Sequence, residues 1–182
     1  GATEEALLAK IKSIGVPLGE YVEGKIYRGV LTGLNEAFVI DAETKKRLIK
    51  EDPKSKELIR PFLIGRDIKR YFIAEEGRYL IFIPKGWTRE KSGSTRDAWQ
   101  WFGENYPAIA EYLLPFKAKA EKRHYKGDYW WELRACDYYE EFERPKLIWG
   151  NLAVHPQFTF DTDIRYINAP ANIIQSDDLY LL

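Results

Sequence analysis

The chain has 182 residues, a length that suits one domain and allows a buried core. Its 45% hydrophobic and 15% aromatic content excludes a disordered chain, and its single cysteine excludes a disulfide framework. Lys plus Arg and Asp plus Glu each number 28, so the composition also excludes a globally basic, non-specific nucleic-acid binder.

The first forty residues predict one helix followed by short strands. Apolar residues at helical spacing predict a helix over 3–14, which Gly15 and Pro17 end. Strand-like runs follow at 19–23, 25–31 and 36–41. We expect residues 1–182 to form a single domain, with 1–15 as an N-terminal helical appendage.

The next segment predicts a helix and two paired strands. Asp52 before Pro53 is typical of a helix start, and Pro61 should end that helix. Strands near 67–73 and 78–83 are expected to pair with each other. Residues 79–83 of the second strand are continuously apolar, which places this strand at the centre of a sheet.

The second half of the chain predicts a polar loop at 85–95 and a helix over 105–123, which Pro115 should kink or split. The remaining strands are predicted at 146–150, 157–161, 165–168 and 172–175. Helices and strands interleave without a regular βαβ period. The predicted fold class is therefore α+β, with a twisted, mixed or mostly antiparallel sheet and flanking helices.

Charge is segregated along the chain although it sums to zero. Residues 44–70 contain ten basic and four acidic side chains, a local charge of +6. This run permits a basic face on a neutral protein, although a solvated helix surface is the more common explanation of any single run. We expect it to converge with the basic residues near 25–35 on one concave face.

The motifs of several enzyme classes are missing. Asp41, Glu43 and Lys45 lie too close together for a nuclease centre, and a helix-surface charge explains Lys45 better. His155 has no Asp or Cys at zinc-ligand spacing, and Cys136 fits an inert buried thiol better than a nucleophile. The chain also contains neither a glycine-rich nucleotide motif nor the Asn/Asp-Pro-Pro-aromatic tetrapeptide of amino-methyltransferases. We therefore predict a recognition module.

Polar and aromatic side chains suit recognition of nucleic acid. In the stretch 15–41, polar groups that reach phosphates and base edges are carried by Lys25, Arg28, Thr32 and Asn35. Trp87 and Trp130 are candidates for stacking on bases, although a core position is the common alternative for such residues.

Several runs together resemble a known family. They are residues 17–41 (beginning PLGE), RPFLIGRDIKRY at 60–71, residues 106–123, YWWELR at 129–134, ERPKLIW at 143–149 and NAPAN at 168–172. In this order they resemble the TaqI-like C-terminal specificity domain, the target-recognition domain of type II restriction–modification methylases, especially type IIG enzymes that fuse nuclease and methyltransferase.

The resemblance implies a reader of double-stranded DNA attached to a methyltransferase domain of the same chain. That domain would methylate adenine with S-adenosylmethionine, and Mg²⁺ would be required if a nuclease is also fused; neither cofactor is expected in this segment. Within the matched runs, residues at strand ends or turns are the first choices for DNA contacts: Arg28, Asn35, Arg66, Lys69 and Arg70. Arg66 could instead form a turn-stabilising pair with Asp67.

Other features bear on the setting of the domain. The chain has no methionine, opens with Gly-Ala and closes on an apolar segment, so we expect a fragment of a longer polypeptide. No apolar run approaches about 18 residues and no signal-peptide pattern is present, so we expect a cytoplasmic protein with no membrane partner. The competing hypothesis is a carbohydrate- or protein-binding module that uses exposed aromatic residues.

Overall fold

The computed structural model describes residues 1–74, 77–93, 97–151 and 154–181. Its α-helices are α1 (Ala2–Ile14), α2 (Leu18–Tyr21), α3 (Asn35–Phe38), α4 (Ala42–Glu51), α5 (Trp87–Ser92), α6 (Ala98–Asn105), α7 (Pro107–Leu113) and α8 (Lys117–Glu121). Short 3-10 helices cover Pro53–Leu58, Gly65–Asp67, Leu114–Phe116, Tyr139–Glu143 and Leu179–Leu181. The strands are β1 (Ile26–Arg28), β2 (Val39–Asp41), β3 (Ile59–Leu63), β4 (Ile68–Lys69), β5 (Phe72–Ile73), β6 (Arg78–Ile81), β7 (Lys146–Trp149), β8 (Phe158–Asp161), β9 (Tyr166–Ile167) and β10 (Asn172–Ile174).

The strands form two four-stranded sheets and one hairpin. The first sheet has the order β1-β10-β7-β8 and is antiparallel throughout. The second has the order β2-β6-β3-β9, in which only the β3–β9 pair is parallel. A parallel bridge between Val30 and Asn168 joins segments that continue from β1 and β9. The predicted α+β class with a mostly antiparallel sheet is confirmed.

Local predictions had mixed outcomes. The run 78–83 contains β6, which lies between β2 and β3, so its predicted central position in a sheet is confirmed. The helix expected over 105–123 is split near Pro115, also as predicted. The strand predicted at 19–23 is wrong, because this segment contains helix α2. The predicted pairing of 67–73 with 78–83 is also wrong, because β4 and β5 pair with each other. The loop predicted at 85–95 contains α5, and residues 94–96 lie outside the described ranges.

The main core lies between the second sheet and the helices that cover it. Helix α4 packs on α7 and on β2 and β6, and α6 contacts α5 and α7. Central side chains with no exposed surface include Leu80, Ile81, Phe102 and Ile109. Burial of such side chains contributes roughly 1.5–3 kcal/mol each relative to exposure, so this core holds the loops described below on a rigid base.

Helix α1 lies outside the core. It forms as predicted, but none of its residues is buried, and Leu7, Leu8, Ile11 and Ile14 are each more than half exposed. Among the described residues, no helix combines the length and the apolar character that a membrane crossing requires.

Candidate functional site

A cavity of about 660 Å³ collects polar side chains from four separate segments of the chain. Its lining includes Asn35, residues 64–66 with Lys69, residues 151, 154, 155 and 157, and residues 168–171. Asn35, Arg66 and Lys69 are contact residues predicted from the sequence, and the fold brings these three together. The cavity is therefore the candidate functional site.

Asn35 is presented by a turn that buried groups hold in place. Its side chain is exposed at the first residue of α3, and its Oδ1 accepts a hydrogen bond from the hydroxyl of Thr32. Thr32 itself is 1% exposed, and its Oγ1 also accepts the N–H of Leu34 at 3.1 Å. Gly33 lies between them at φ +70°, a conformation that glycine adopts without strain. The amide of Asn35 therefore has a fixed orientation, with Nδ2 unpartnered among the described residues.

The buried side chain of Arg123 also holds the Asn35 turn in place. The sequence did not predict this role. Its guanidinium is buried and donates to the carbonyl oxygens of Thr32 and Trp130, both at 2.6 Å, and of Glu132 at 2.9 Å. The guanidinium also lies 4.5 Å from the ring centroid of Phe38. Burial lowers the pKa of Arg123 to about 10, so the side chain is still charged at neutral pH. In the sequence this residue is one more cation in the basic run 117–126, and no local signal separates it from its exposed neighbours.

The turn that carries Arg66 is held by a buried ion pair. Asp67 is 1% exposed, and its carboxylate accepts the N–H of Ile64 at 2.8 Å and Nη1 of Arg78 at 2.9 Å. The carboxylate thus serves the backbone of the turn and the Arg78 cation. Arg66 is exposed at the cavity wall.

Two glycines allow the walls of the cavity to approach each other. A Cβ on Gly150 would meet the carbonyl oxygen of Gly65 at 3.1 Å. A Cβ on Gly29 would meet the backbone of Asn168 at 2.6 Å. Any side chain at Gly29 would therefore displace the 168–171 segment, in which the Ala169–Pro170 peptide bond is cis.

Lys69 enters the cavity from the β4–β5 hairpin. It is half-buried and has no ionic partner within the part of the chain that the structure describes. Arg70 follows it at the hairpin turn, with its guanidinium 5.2 Å from the ring of Tyr71.

The cavity is also lined by polar groups that were not predicted as contacts from the sequence. Asn151, His155, Gln157 and Asn168 come from loops that are distant in sequence from Asn35 and Arg66. The amides of Gln157 and Asn168 have no hydrogen-bond partner among the described side chains. The NAPAN run contained Asn168, but only the fold shows that it faces the same space as Asn35.

Two predicted cations lie elsewhere. Lys25 bonds Glu23 at 2.7 Å, which raises the pKa of Lys25, and it lines a separate cleft that contains Asp177 and Asp178. Arg28 is exposed at the end of β1 and lines a small cavity of about 160 Å³. The cations of the 44–70 run likewise do not all meet at the candidate site, since Lys45 lies 3.8 Å from the ring of Tyr79 and lines another cavity.

Burial corrects two other predicted contacts and leaves a third, Trp87, as a prediction. Thr32 is wrong as a direct contact, because it is buried and instead orients Asn35. Trp130 is wrong as a stacking residue, because it is 8% exposed and its ring packs 4.7 Å from that of Trp99. Trp87 is half-buried and packs against Tyr106 at 5.4 Å. The aromatic pairs that could have favoured a carbohydrate site therefore serve the core.

Carboxylates that resemble a metal centre in sequence have structural partners. Asp41 caps α4 by accepting the N–H of Thr44 at 2.7 Å, and this bond lowers the pKa of Asp41. Across residues 1–74, 77–93, 97–151 and 154–181, no group of three His, Cys, Asp or Glu side chains could hold a metal ion.

Comparison with known proteins supplies the family. No curated protein sequence matches the chain. Among solved structures, a Type IIL restriction-modification enzyme, MmeI, determined in complex with DNA, is similar with a TM-score of 0.49 and 13% identity. The similarity covers 85% of this chain and 19% of MmeI, so the chain corresponds to about a fifth of that enzyme's length. The family model described as the TaqI-like C-terminal specificity domain matches residues 60–180, and the chain therefore belongs to the family of TaqI-like C-terminal specificity domains.

Proposed function

We propose that this chain is the sequence-specific DNA recognition domain of a type II restriction–modification adenine methyltransferase, and that it reads double-stranded DNA at the 660 Å³ cavity. The observation that carries the proposal is the convergence of Asn35, Arg66 and Lys69 in a member of a specificity-domain family. These residues come from separate turns, and each type has an established mode of contact with DNA.

The chemistry of each residue assigns its role. Asn35 donates from Nδ2, and Oδ1 retains a lone pair beside its bond from Thr32, so the amide suits a bidentate pair with adenine. Arg66 has the planar fork that suits guanine. Lys69 and Arg70 hold phosphates, because they lie on the hairpin that borders the cavity. Gln157 and Asn168 add amide groups for further base edges.

The charge of the cavity wall favours a polyanion. Among the described residues that line it, Arg66 and Lys69 are cationic and none is acidic. The buried carboxylate of Asp67, which follows Arg66 in the chain, is neutralised by Arg78. A phosphate backbone would therefore meet a cationic cavity wall on a protein whose net charge is zero.

In this proposal, the longer polypeptide that contains this domain carries out the methylation of adenine. Its methyltransferase domain binds S-adenosylmethionine, works in the cytoplasm, and requires Mg²⁺ only where a nuclease is fused. We assign residues 1–182 to a single recognition domain, with 1–15 as its helical appendage; the absence of any buried residue in α1 supports that assignment.

The test is selection of binding sites from a random duplex library, followed by affinity measurements at two salt concentrations. Asn35→Ala and Arg66→Ala should each cost roughly 1–3 kcal/mol and relax the preference at one position. Lys69→Ala should weaken all sequences alike and lower the salt slope by about one unit. Lys25→Ala is the matched control, because Lys25 lies outside the cavity and is paired with Glu23.

Three results would contradict the proposal. A library that shows no enriched sequence would exclude specific reading. Binding that is indifferent to salt would favour the carbohydrate or protein module instead. An altered site preference in Lys69→Ala, with none in Asn35→Ala or Arg66→Ala, would invert the assigned roles.

A further inference from the structure

The β4–β5 hairpin ends in four residues that combine two cations with two exposed aromatic rings. Ile68 pairs with Ile73 and Lys69 pairs with Phe72. Directly opposed residues share one face of a hairpin, so the isoleucine pair and the Lys69–Phe72 pair lie on opposite faces. Ile68 is fully buried, whereas Phe72 is 59% exposed. We call residues 69–72 the hairpin tip.

Tyr71 occupies a backbone conformation that tyrosine rarely adopts. It has φ +73° at the second central position of the two-residue turn, where glycine or asparagine is usual. Its N–H donates to the carbonyl of Phe158 at 3.0 Å, which fixes this conformation against β8. Its side chain is nevertheless 58% exposed. Burial of the ring therefore does not offset the strain of this backbone angle.

The hairpin tip lies beside the candidate site. Lys69 lines the 660 Å³ cavity, and Phe158, which anchors Tyr71, lines an adjoining cavity of about 270 Å³. The two cavities share Asn151, His155 and Gln157. An exposed aromatic pair flanked by cations is thus presented at the edge of the surface assigned to DNA.

We propose that the hairpin tip is a wedge that enters the duplex next to the cavity and stacks the ring of Tyr71 on an exposed base. Phe72 covers the apolar edge of the opened base step, and Lys69 and Arg70 neutralise the flanking phosphates. Proteins that insert apolar side chains between base pairs use this combination of ring and cation. The inference rests on the proposed function, since it requires the duplex to lie on this face.

The Tyr71→Gly variant distinguishes the contribution of the aromatic ring to binding from the effect of the backbone conformation on stability. Glycine adopts a positive φ freely, so the melting temperature of the variant should equal or exceed that of the wild type. Stacking of one base on an aromatic ring corresponds to a factor of about 5–150 in affinity, and this factor should be lost. Tyr71→Phe keeps the ring and should bind like the wild type. Tyr180→Gly is the control, because that ring is 98% exposed in the acidic 177–180 segment.

The probes are a short duplex of mixed sequence and the same duplex with one central abasic site, measured by fluorescence anisotropy. The wild type should prefer the abasic duplex, where a base step is already open, and Tyr71→Gly should lose that preference without a change in salt slope. Lys69→Ala should keep the preference with a smaller slope.

Equal binding of both duplexes by wild type and Tyr71→Gly would overturn the wedge while leaving DNA recognition intact. A loss in Tyr71→Phe as large as that in Tyr71→Gly would also overturn it, because the hydroxyl rather than the ring would then make the contact. Failure of the wild type to bind either duplex at low salt would overturn the proposed function and the wedge with it.

Discussion

Replacement of Arg123 by methionine tests how the Asn35 turn is held. The guanidinium donates to several backbone carbonyls, and those of Thr32 and Trp130 lie at only 2.6 Å. A hydrogen bond to a charged group contributes about 1.5–3 kcal/mol. The two short hydrogen bonds together contribute more to stability than the longer hydrogen bonds of the same guanidinium. Methionine, on the other hand, removes the cost of burying a cation. We therefore expect a loss of about 3–5 kcal/mol in the free energy of unfolding, somewhat less than the two short hydrogen bonds could contribute together.

Urea unfolding followed by tryptophan fluorescence measures this loss, since the chain has six tryptophans. Arg89→Met is the matched control: its side chain is 69% exposed and pairs with Asp128 at 3.3 Å, so its loss should stay below about 1 kcal/mol. If Arg123→Met also stays within about 1 kcal/mol of the wild type, with an unchanged dependence on urea, the carbonyls do not depend on Arg123 and the reasoning is refuted.

Two further substitutions probe the frame of the site. Gly29→Ala should destabilise the fold by about 1–3 kcal/mol or more, because the new Cβ would clash with the backbone of Asn168. Gly103→Ala should stabilise the fold by about 0.5–1 kcal/mol, because Gly103 lies within α6 and a Cβ there would meet no neighbouring atom. Urea unfolding that ranks the two variants the other way would contradict the packing argument. Asp41→Ala should cost about 1 kcal/mol as a lost helix cap. Because the Thr44 N–H lowers the pKa of Asp41, this contribution is complete above the ordinary carboxyl pKa of about 3.9 and is lost as the pH falls through the lower folded value. Stability curves of wild type and Asp41→Ala should therefore converge only in strong acid, and a constant difference across that range would exclude the cap as its source.

Sequence signals predicted the elements that depend on local chemistry. Pro115 lacks an N–H, and the predicted helix is split there. The continuous apolar run at 79–83 begins in the central strand β6, where the successive side chains Leu80 and Ile81 are buried on opposite faces. The β4–β5 pairing escaped prediction because its turn carries Arg70 and Tyr71 in place of the glycine or asparagine by which hairpins are identified.

The candidate site was only partly predictable for a related reason. Asn35 and Arg66 are exposed and Lys69 is half-buried, and all three lie near turns, whose residue preferences can be recognised from the local sequence. Burial depends on partners that are distant in sequence. Arg123 therefore could not be distinguished from surface cations, and Trp130 could not be distinguished from an exposed ring. Lys25 does not line the cavity but lies in a separate cleft, beside Glu23 and the carboxylates of 177–178, and its sequence neighbours do not indicate that placement.

The side chains that face the cavity are different residues from those that hold its loops. Asn35 depends on Thr32 and Arg123, and the turn of Arg66 depends on Asp67. Substitution of Arg66 therefore leaves the hydrogen bonds of Asp67 in place, and substitution of Asn35 removes the bond from Thr32 but leaves those of Arg123. Under the proposed function, a new target sequence would arise by successive single changes on an intact scaffold, and separated changes should combine additively in their effect on affinity.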